Sequence, residues 1–157
     1  MFGETKPENW RKNYADNLEV GKEFQDFASD ILLRYGLLVN AYSSRKYQLK
    51  GEGSGGIEIK LDRMFRETGN LYIEISEKAN PSNLHYFPSG IQREDNTILY
   101  AIGNYEIIYV FAKKQLKGLS KNEKFRKVIT PTSKGFLLPL ASAQRWAITI
   151  INPCESA

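Results

Sequence analysis

The sequence predicts a single α/β domain with a mixed central sheet flanked by helices. Apolar residues recur every three or four positions over about residues 17–35, which indicates an amphipathic helix. Segments 57–62 and 71–78 alternate between apolar and polar residues, the two-residue period of half-buried strands. Segments 97–102 and 105–111 are apolar on both faces and indicate interior strands. A chain of 157 residues is long enough to bury a sizeable core in one domain.

The first predicted helix has one apolar face. Its members recur at spacings of three and four residues: Val20, Phe24, Phe27, Ile31 and Tyr35. Gly36 follows this face and is typical of a residue that ends a helix. Residues 37–49 then predict a first strand, and the glycine-rich stretch 50–56 predicts a flexible loop.

The two alternating segments are predicted to pair with each other as a β-hairpin. The residues between them, 63–70, end in Thr-Gly-Asn and indicate the connecting loop. If this loop is symmetric about position 66, Glu58 lies directly opposite Glu74, with the two Cβ atoms about 5 Å apart. Facing carboxylates repel each other, and a divalent cation is the simplest reason for a fold to keep them together.

The rest of the chain predicts further elements of the same domain. Residues 80–96 form a long loop with two prolines, and loops of that length are often functional. A short helix is predicted over 112–119, an edge strand over 136–138, and a final helix that begins at Pro139 and runs to about residue 150. The domain core is therefore expected over about 17–119, with a C-terminal helical extension over about 120–157.

Composition excludes several classes of function. With one histidine (His85) and one cysteine (Cys154), the chain cannot build zinc sites, Ser-His or Cys-His nucleophiles, or an internal disulfide. No phosphate-binding loop of the Gly-x-x-x-x-Gly-Lys-Ser/Thr type is present. No apolar run approaches ~18 residues, and the N-terminus lacks the apolar stretch of a signal peptide. We therefore expect a cytoplasmic protein that does not enter the membrane.

Positive charge is concentrated in one part of the chain. The net charge is +4, and the segment 112–134 contains seven lysines, Arg126 and the single acid Glu123. Such a segment predicts contacts with nucleic-acid phosphates, for which Lys113, Lys114 and Lys117 are the candidates. A solvated helix and loop is the alternative interpretation.

The order of helix, acidic strands, two further strands and helix resembles the core of the PD-(D/E)XK nuclease superfamily, which includes restriction endonucleases and Holliday junction resolvases. The resemblance extends over about residues 20–119. It implies a restriction-endonuclease-like fold and a Mg²⁺-dependent nuclease acting on DNA, in which Mn²⁺ can replace Mg²⁺. It also implies roles for three acids: Glu58 and Glu74 match the two metal-binding acids, and Glu23 matches the helix glutamate.

The family places a lysine two residues beyond its second acid, and here that position is Ser76. Lys78 is the first candidate for the lysine, since it lies on the same face of the strand ~6.5 Å further along. Lys60 is the second candidate because Glu58-Ile-Lys60 matches the motif literally, but that reading requires an earlier acid such as Glu52. Asp62 is a reserve metal ligand at the predicted hairpin mouth.

Two further features belong to the nuclease hypothesis. The Ile75 carbonyl is a further candidate ligand for magnesium, and the resemblance allows a homodimer.

Alternatives to this nuclease remain. A catalytically silent nuclease-like fold that binds DNA or protein is the second hypothesis, and an acidic hairpin face that meets a basic partner is the third. The charged residues of the two alternating segments could also form only cross-strand ion pairs on a solvent-exposed sheet face.

Overall fold

The computed structural model describes residues 7–35 and 56–155. The predicted strand over 37–49 lies outside these residues, as does all but the last glycine of the predicted loop over 50–56. The helices of the described residues are α1 (Pro7–Arg34), α2 (Phe65–Thr68), α3 (Lys113–Ser120) and α4 (Leu140–Trp146). Its strands are β1 (Ile57–Leu61), β2 (Asn70–Glu77), β3 (Phe87–Pro88), β4 (Leu99–Gly103), β5 (Ile108–Ala112), β6 (Lys127–Ile129), β7 (Ser133–Pro139) and β8 (Thr149–Ile151).

Within residues 56–155, the strands form two four-stranded sheets. Sheet A has the order β1-β4-β5-β8. It is mixed, because β1 runs parallel to β4 while the other neighbours are antiparallel. Sheet B has the order β3-β2-β7-β6 and is antiparallel throughout. The prediction of an α/β fold with a mixed sheet is therefore confirmed.

Sheet A is the middle layer of the fold. On one face, Ala101 and Val110 pack against the apolar side of α1, where Phe24 is completely buried. On the other face, Tyr100 and Phe111 pack into a second core that is shared with sheet B. Alternate side chains of β4 and β5 therefore enter different cores, which explains why both strands are apolar on both faces.

The predicted hairpin is wrong. β1 pairs in parallel with β4, whereas β2 pairs with β3 and β7. The connection between β1 and β2 contains α2, whose Phe65 is fully buried, and it ends at Gly69 with a φ of 72°. The chain thus crosses from sheet A to sheet B at this point, and Glu58 and Glu74 are not cross-strand neighbours.

The other element predictions have mixed outcomes. The helix predicted over 17–35 is confirmed as part of α1, and the strands and short helix predicted over 97–119 are confirmed as β4, β5 and α3. The predicted edge strand over 136–138 is instead the interior strand β7. The final helix ends at Trp146 and β8 follows it.

The C-terminal part of the chain is not a helical extension. It supplies β6 and β7 to sheet B and β8 to sheet A, so it completes both sheets. The apolar residues Phe136 and Ile151 from this part are fully buried, one in each core. None of the helices in the described residues is long and apolar enough to cross a membrane.

Candidate carboxylate–lysine site

The strand β1 presents two charged side chains toward the side of sheet A that faces sheet B. Ile59 packs against α1 on one face of β1, so its neighbours Glu58 and Lys60 lie on the opposite face. Glu58 is adjacent to Tyr100 in the parallel register of β1 and β4. The Glu58 side chain is only 14% exposed, and its Oε1 forms an ion pair with Lys60 Nζ at 3.3 Å.

Glu74 enters the same region from β2 and is held by the turn after β3. Ser89 is completely buried and donates its hydroxyl proton to Glu74 Oε1 at 2.8 Å. Gly90 has a φ of 51°, and a Cβ atom there would lie 2.3 Å from the Glu74 carbonyl oxygen. Only glycine fits this close approach without a shift of the backbone. The Ser-Gly pair therefore packs directly against β2 at Glu74.

The three charged groups interact electrostatically. Burial alone would lower the pKa of Lys60, but attraction to Glu58 and Glu74 raises it above the ordinary value. Burial raises the pKa of Glu74, and the Lys60 charge and the Ser89 hydrogen bond only partly oppose this effect. The Lys60 ammonium group thus interacts with two carboxyl groups, that of Glu58 from sheet A and that of Glu74 from sheet B.

One oxygen of this site is unsatisfied. Within the described part of the chain, Glu58 Oε2 is buried and has no hydrogen-bond partner. A buried carboxylate oxygen without a partner is costly, and native structures usually supply a donor, a water or an ion. Carboxylate oxygens are the ligands that magnesium prefers, so the donor set fits such an ion. No group of three or more candidate metal ligands occurs among the described residues.

The Asp62 carboxylate accepts hydrogen bonds from the backbone. Its Oδ1 accepts the Met64 N–H and its Oδ2 accepts the Tyr72 N–H, both at 2.9 Å. These bonds tie the end of β1 to the start of β2. The carboxylate therefore stabilises the crossing between the two sheets, which is a different role from the predicted reserve ligand.

Lys78 contacts the loop that follows β2. Its Nζ donates to the Asn83 carbonyl at 2.9 Å and lies 4.7 Å from the centre of the Tyr86 ring. The Ile75 carbonyl accepts the Ser89 N–H at 3.1 Å, so it too has a structural partner. Of the two candidate lysines, Lys60 is the one that interacts with both Glu58 and Glu74.

Two other predicted site residues lie elsewhere. Glu23 is exposed on α1, so its membership of the site stays a prediction. Lys113 is buried, donating from Nζ to Asp95 Oδ1 and the Arg93 carbonyl at 2.7 Å each, so it cannot contact a phosphate. Lys114 is exposed and Lys117 is partly exposed, so the surface role predicted for them stays a prediction.

The sequence interpretation missed three neighbours of the site. Tyr100 is almost fully buried, and the pKa of its hydroxyl is raised well above the ordinary value by burial and by the two glutamates. Ser89 holds Glu74, and the charge of Arg93 acts on Lys60. The Ser89-Gly90 pair inside a long loop was a usable signal, since that pairing is typical of a tight turn. Tyr100 carried no such signal.

Comparisons with family models, curated proteins and solved structures find no match for this chain. Any interpretation of its function therefore depends on the residues, their order along the chain and their geometry.

Proposed function

We propose that this protein is a Mg²⁺-dependent nuclease that hydrolyses DNA phosphodiester bonds, with a centre of the PD-(D/E)XK type. The observation that carries the proposal is the meeting of Glu58, Lys60 and Glu74, together with the unsatisfied Oε2 of Glu58. A half-buried acid pair that shares one lysine is costly to keep, and such perturbed groups cluster at functional sites.

Glu58 and Glu74 are the residues that would hold the metal. Both supply hard oxygen ligands, and Glu58 Oε2 has the free lone pairs that an ion requires. When bound there, Mg²⁺ would polarise the scissile phosphate and make a bound water more acidic. Ser89 holds one oxygen of Glu74, so the other oxygen would be the ligand for the ion.

We assign to Lys60 the stabilisation of the negative charge that develops in the transition state. Its raised pKa keeps the ammonium protonated at neutral pH. A protonated amine beside the reacting phosphate can donate a hydrogen bond to a non-bridging oxygen and stabilise the transition state. The 3.3 Å contact with Glu58 orients the ammonium group for that task.

The assignment of Lys60 changes how the motif is read. Glu58-Ile-Lys60 supplies the acid and the lysine from β1, and Glu74 supplies the second acid from β2. The earlier acid that this reading seemed to require is then unnecessary. A helix before β1 and a helix after β5 are consistent with a restriction-endonuclease-like arrangement, which we include in the proposal.

A silent fold that binds nucleic acid is the second candidate, and one observation favours it. Lys60 already pairs with Glu58, so the two charges partly satisfy each other without an ion. Within the described residues, no third acid joins the pair to make a larger metal cluster. This candidate predicts DNA binding that is indifferent to Mg²⁺.

The test compares cleavage of linear, circular, single-stranded and branched DNA in Mg²⁺, Mn²⁺ or EDTA. Glu58→Gln and Glu74→Gln keep the size of each side chain and remove its charge. We expect metal-dependent cleavage in the wild type and a loss of at least about 100-fold in each variant. Glu19→Gln, an exposed residue of α1, is the matched control and retains cleavage.

Two results would overturn the nuclease proposal. One is the absence of cleavage on all four substrates with either metal. The other is cleavage that survives both substitutions, which would show a contaminating enzyme or a different centre. Isothermal titration of Mg²⁺ gives an independent readout: both glutamine variants should bind the ion more weakly than the Glu19→Gln control.

A further inference from the structure

A pocket lies between α1 and β1, beside the carboxylate–lysine site. Its volume of about 430 Å³ falls within the range of about 300–1,000 Å³ that is typical of small-molecule pockets. We call it the α1–β1 pocket, and its walls include Leu18, Gly21, Lys22, Lys60, Leu61 and Arg63. Because Lys60 belongs to both, the pocket adjoins the carboxylate–lysine site.

The α1–β1 pocket is positively charged. Lys22, Lys60 and Arg63 line it, and none of the described residues in its walls is acidic. Lys60 is paired with Glu58, but within residues 15–35 and 56–155 no carboxylate forms an ion pair with Lys22 or Arg63. A cleft lined by charges of one sign attracts ligands of the opposite sign. The pocket is therefore suited to an anion.

Aliphatic side chains give the pocket a second kind of surface. Leu18 is 46% exposed on α1, and Leu61 is half-buried at the end of β1. Ligand pockets usually combine apolar walls with a few charged or polar groups that fix the orientation of the ligand. A ligand that uses both surfaces carries an anionic group on an organic body, which is the composition of a nucleotide.

Gly21 is an independent observation that points to a ligand. It lies in the middle of α1, where glycine is less favourable than alanine. Nothing lies within 4 Å of a Cβ atom added at Gly21, so packing inside the described structure does not require glycine there. The residue lines the pocket, where a methyl group would occupy space. Close approach of a ligand to the helix backbone explains the glycine.

The turn that carries Arg63 is held by its neighbour Asp62. The Asp62 carboxylate accepts the N–H groups of Met64 and Tyr72, both at 2.9 Å. The backbone around Arg63 is therefore fixed relative to β1, three residues beyond Lys60. A cation on a fixed backbone binds a ligand with a smaller loss of conformational freedom.

We propose that the α1–β1 pocket binds one nucleotide of the substrate strand, next to the phosphate that is cleaved at the carboxylate–lysine site. Lys22 and Arg63 contact the phosphate of this nucleotide, and Leu18 and Leu61 contact its sugar and base. This inference rests on the proposed function for its substrate. It gives α1 a role in holding the DNA strand.

Isothermal titration in EDTA tests the pocket without cleavage. The probes are deoxythymidine monophosphate (dTMP), thymidine and inorganic phosphate, and we expect dTMP to bind at one site and more tightly than the other two. Lys22→Met and Arg63→Met should each weaken dTMP binding about tenfold, because each removes a charged donor. Gly21→Ala should weaken it about tenfold by filling pocket space, although alanine favours the helix.

Gly118→Ala and Arg34→Met are the matched controls. The first adds a methyl group to α3 where nothing lies within 4 Å, and the second removes one charge from an exposed pair at the end of α1. Both should bind dTMP like the wild type, and urea unfolding checks that every variant is folded. Equal dTMP binding by the wild type and all three pocket variants would overturn the inference. So would a wild type that does not bind dTMP, or that binds inorganic phosphate as tightly.

A short labelled oligo-dT separates a DNA strand from a free nucleotide. In fluorescence anisotropy the three pocket variants should weaken its binding as well. Unchanged oligo-dT binding with weakened dTMP binding would overturn the assignment to the substrate strand. Binding of both probes without any cleavage in the Glu58 and Glu74 test would support the pocket and overturn the nuclease. Cleavage without dTMP binding would overturn the pocket and leave the nuclease proposal standing.

Discussion

At the scale of single residues, the short-range pattern identified the charged side chains but not their partners. Glu58, Lys60 and Glu74 were recognised because they alternate with apolar neighbours. The pattern could not show that Lys60 would contact Glu58 while Lys78 turned toward Tyr86. Long flexible side chains reach any of several neighbours, so the backbone position alone does not choose between them.

Lys60 and Lys78 should differ in their effect on kcat. Lys60→Met is expected to lower kcat by about 100-fold or more, because the ammonium group acts on charge that develops in the transition state. Lys78→Met is expected to change kcat little, because the Lys78 ammonium group is held by the Asn83 carbonyl and the Tyr86 ring. Steady-state cleavage rates over a range of DNA concentrations separate the two effects. A greater loss of kcat in Lys78→Met than in Lys60→Met would restore Lys78 as the catalytic lysine.

The buried pair of Asp95 and Lys113 should make stability depend on pH. Burial favours a higher pKa for Asp95, but hydrogen bonds from Lys113 and Thr97 outweigh it and hold the pKa below its ordinary value. A carboxyl group with a lowered pKa in the folded state contributes stability above its unfolded pKa. That contribution is lost as the pH falls through the folded pKa.

Asp95→Asn is therefore expected to lower the free energy of unfolding by about 3–5 kcal/mol at pH 7. The difference from wild type should shrink below about pH 4 as the wild-type carboxyl becomes protonated. Urea unfolding at pH 7, 5 and 3 measures it. Asp30→Asn, in an exposed pair with Arg34, should cost less than about 1 kcal/mol. A difference that stays constant across pH would contradict the explanation.

At the scale of elements, the position of Glu74 depends on a turn that follows the next strand along the chain. The Ser89-Gly90 turn follows β3 and presses against β2 where the register with β7 shifts, between Glu74 and Ser76. A bulge of this kind redirects side chains and is common beside active sites. The predicted strand had no sequence mark for the bulge, since it arises from pairing.

Gly90→Ala should destabilise the protein and weaken cleavage together. A methyl group there would meet the Glu74 carbonyl at 2.3 Å, and the positive φ adds a cost of about 1–2 kcal/mol. Gly118→Ala is the matched control, because nothing lies within 4 Å of its added Cβ in α3. That change should raise the free energy of unfolding by about 0.5–1 kcal/mol. Urea unfolding measures the free energy of unfolding of both variants. An equal change in the two would contradict the role assigned to Gly90.

At the scale of the whole molecule, the two cores are joined by sheet A. Ala101 and Val110 face α1, whereas Tyr100 and Phe111 face sheet B. Because each of these strands serves both cores, neither core can be lost while the other keeps its full set of contacts. The described structure should therefore unfold as one cooperative unit.

A large-to-small change in either core should destabilise the protein in one and the same unfolding transition. Phe24→Ala affects the core under α1 and Phe136→Ala the core shared with sheet B, and each residue is fully buried. Each change should cost about 3–5 kcal/mol, while Leu33→Ala, at a 54% exposed position, should cost far less. Far-UV circular dichroism and tryptophan fluorescence should report one shared midpoint for every variant. Two separate transitions would show that the cores are independent.

The sequence by itself determined the secondary-structure types of α1, β1, β2, β4, β5 and α3, and it selected two glutamates and a lysine of the candidate site. Those features depend on local periodicity, which each segment carries within itself. Tertiary structure alone decided that β1 pairs with β4, that β2 belongs to another sheet, and that the C-terminal strands complete both. Strand alternation shows which face is buried, but many strands of similar pattern compete as partners. The choice is made by which apolar faces can share a core.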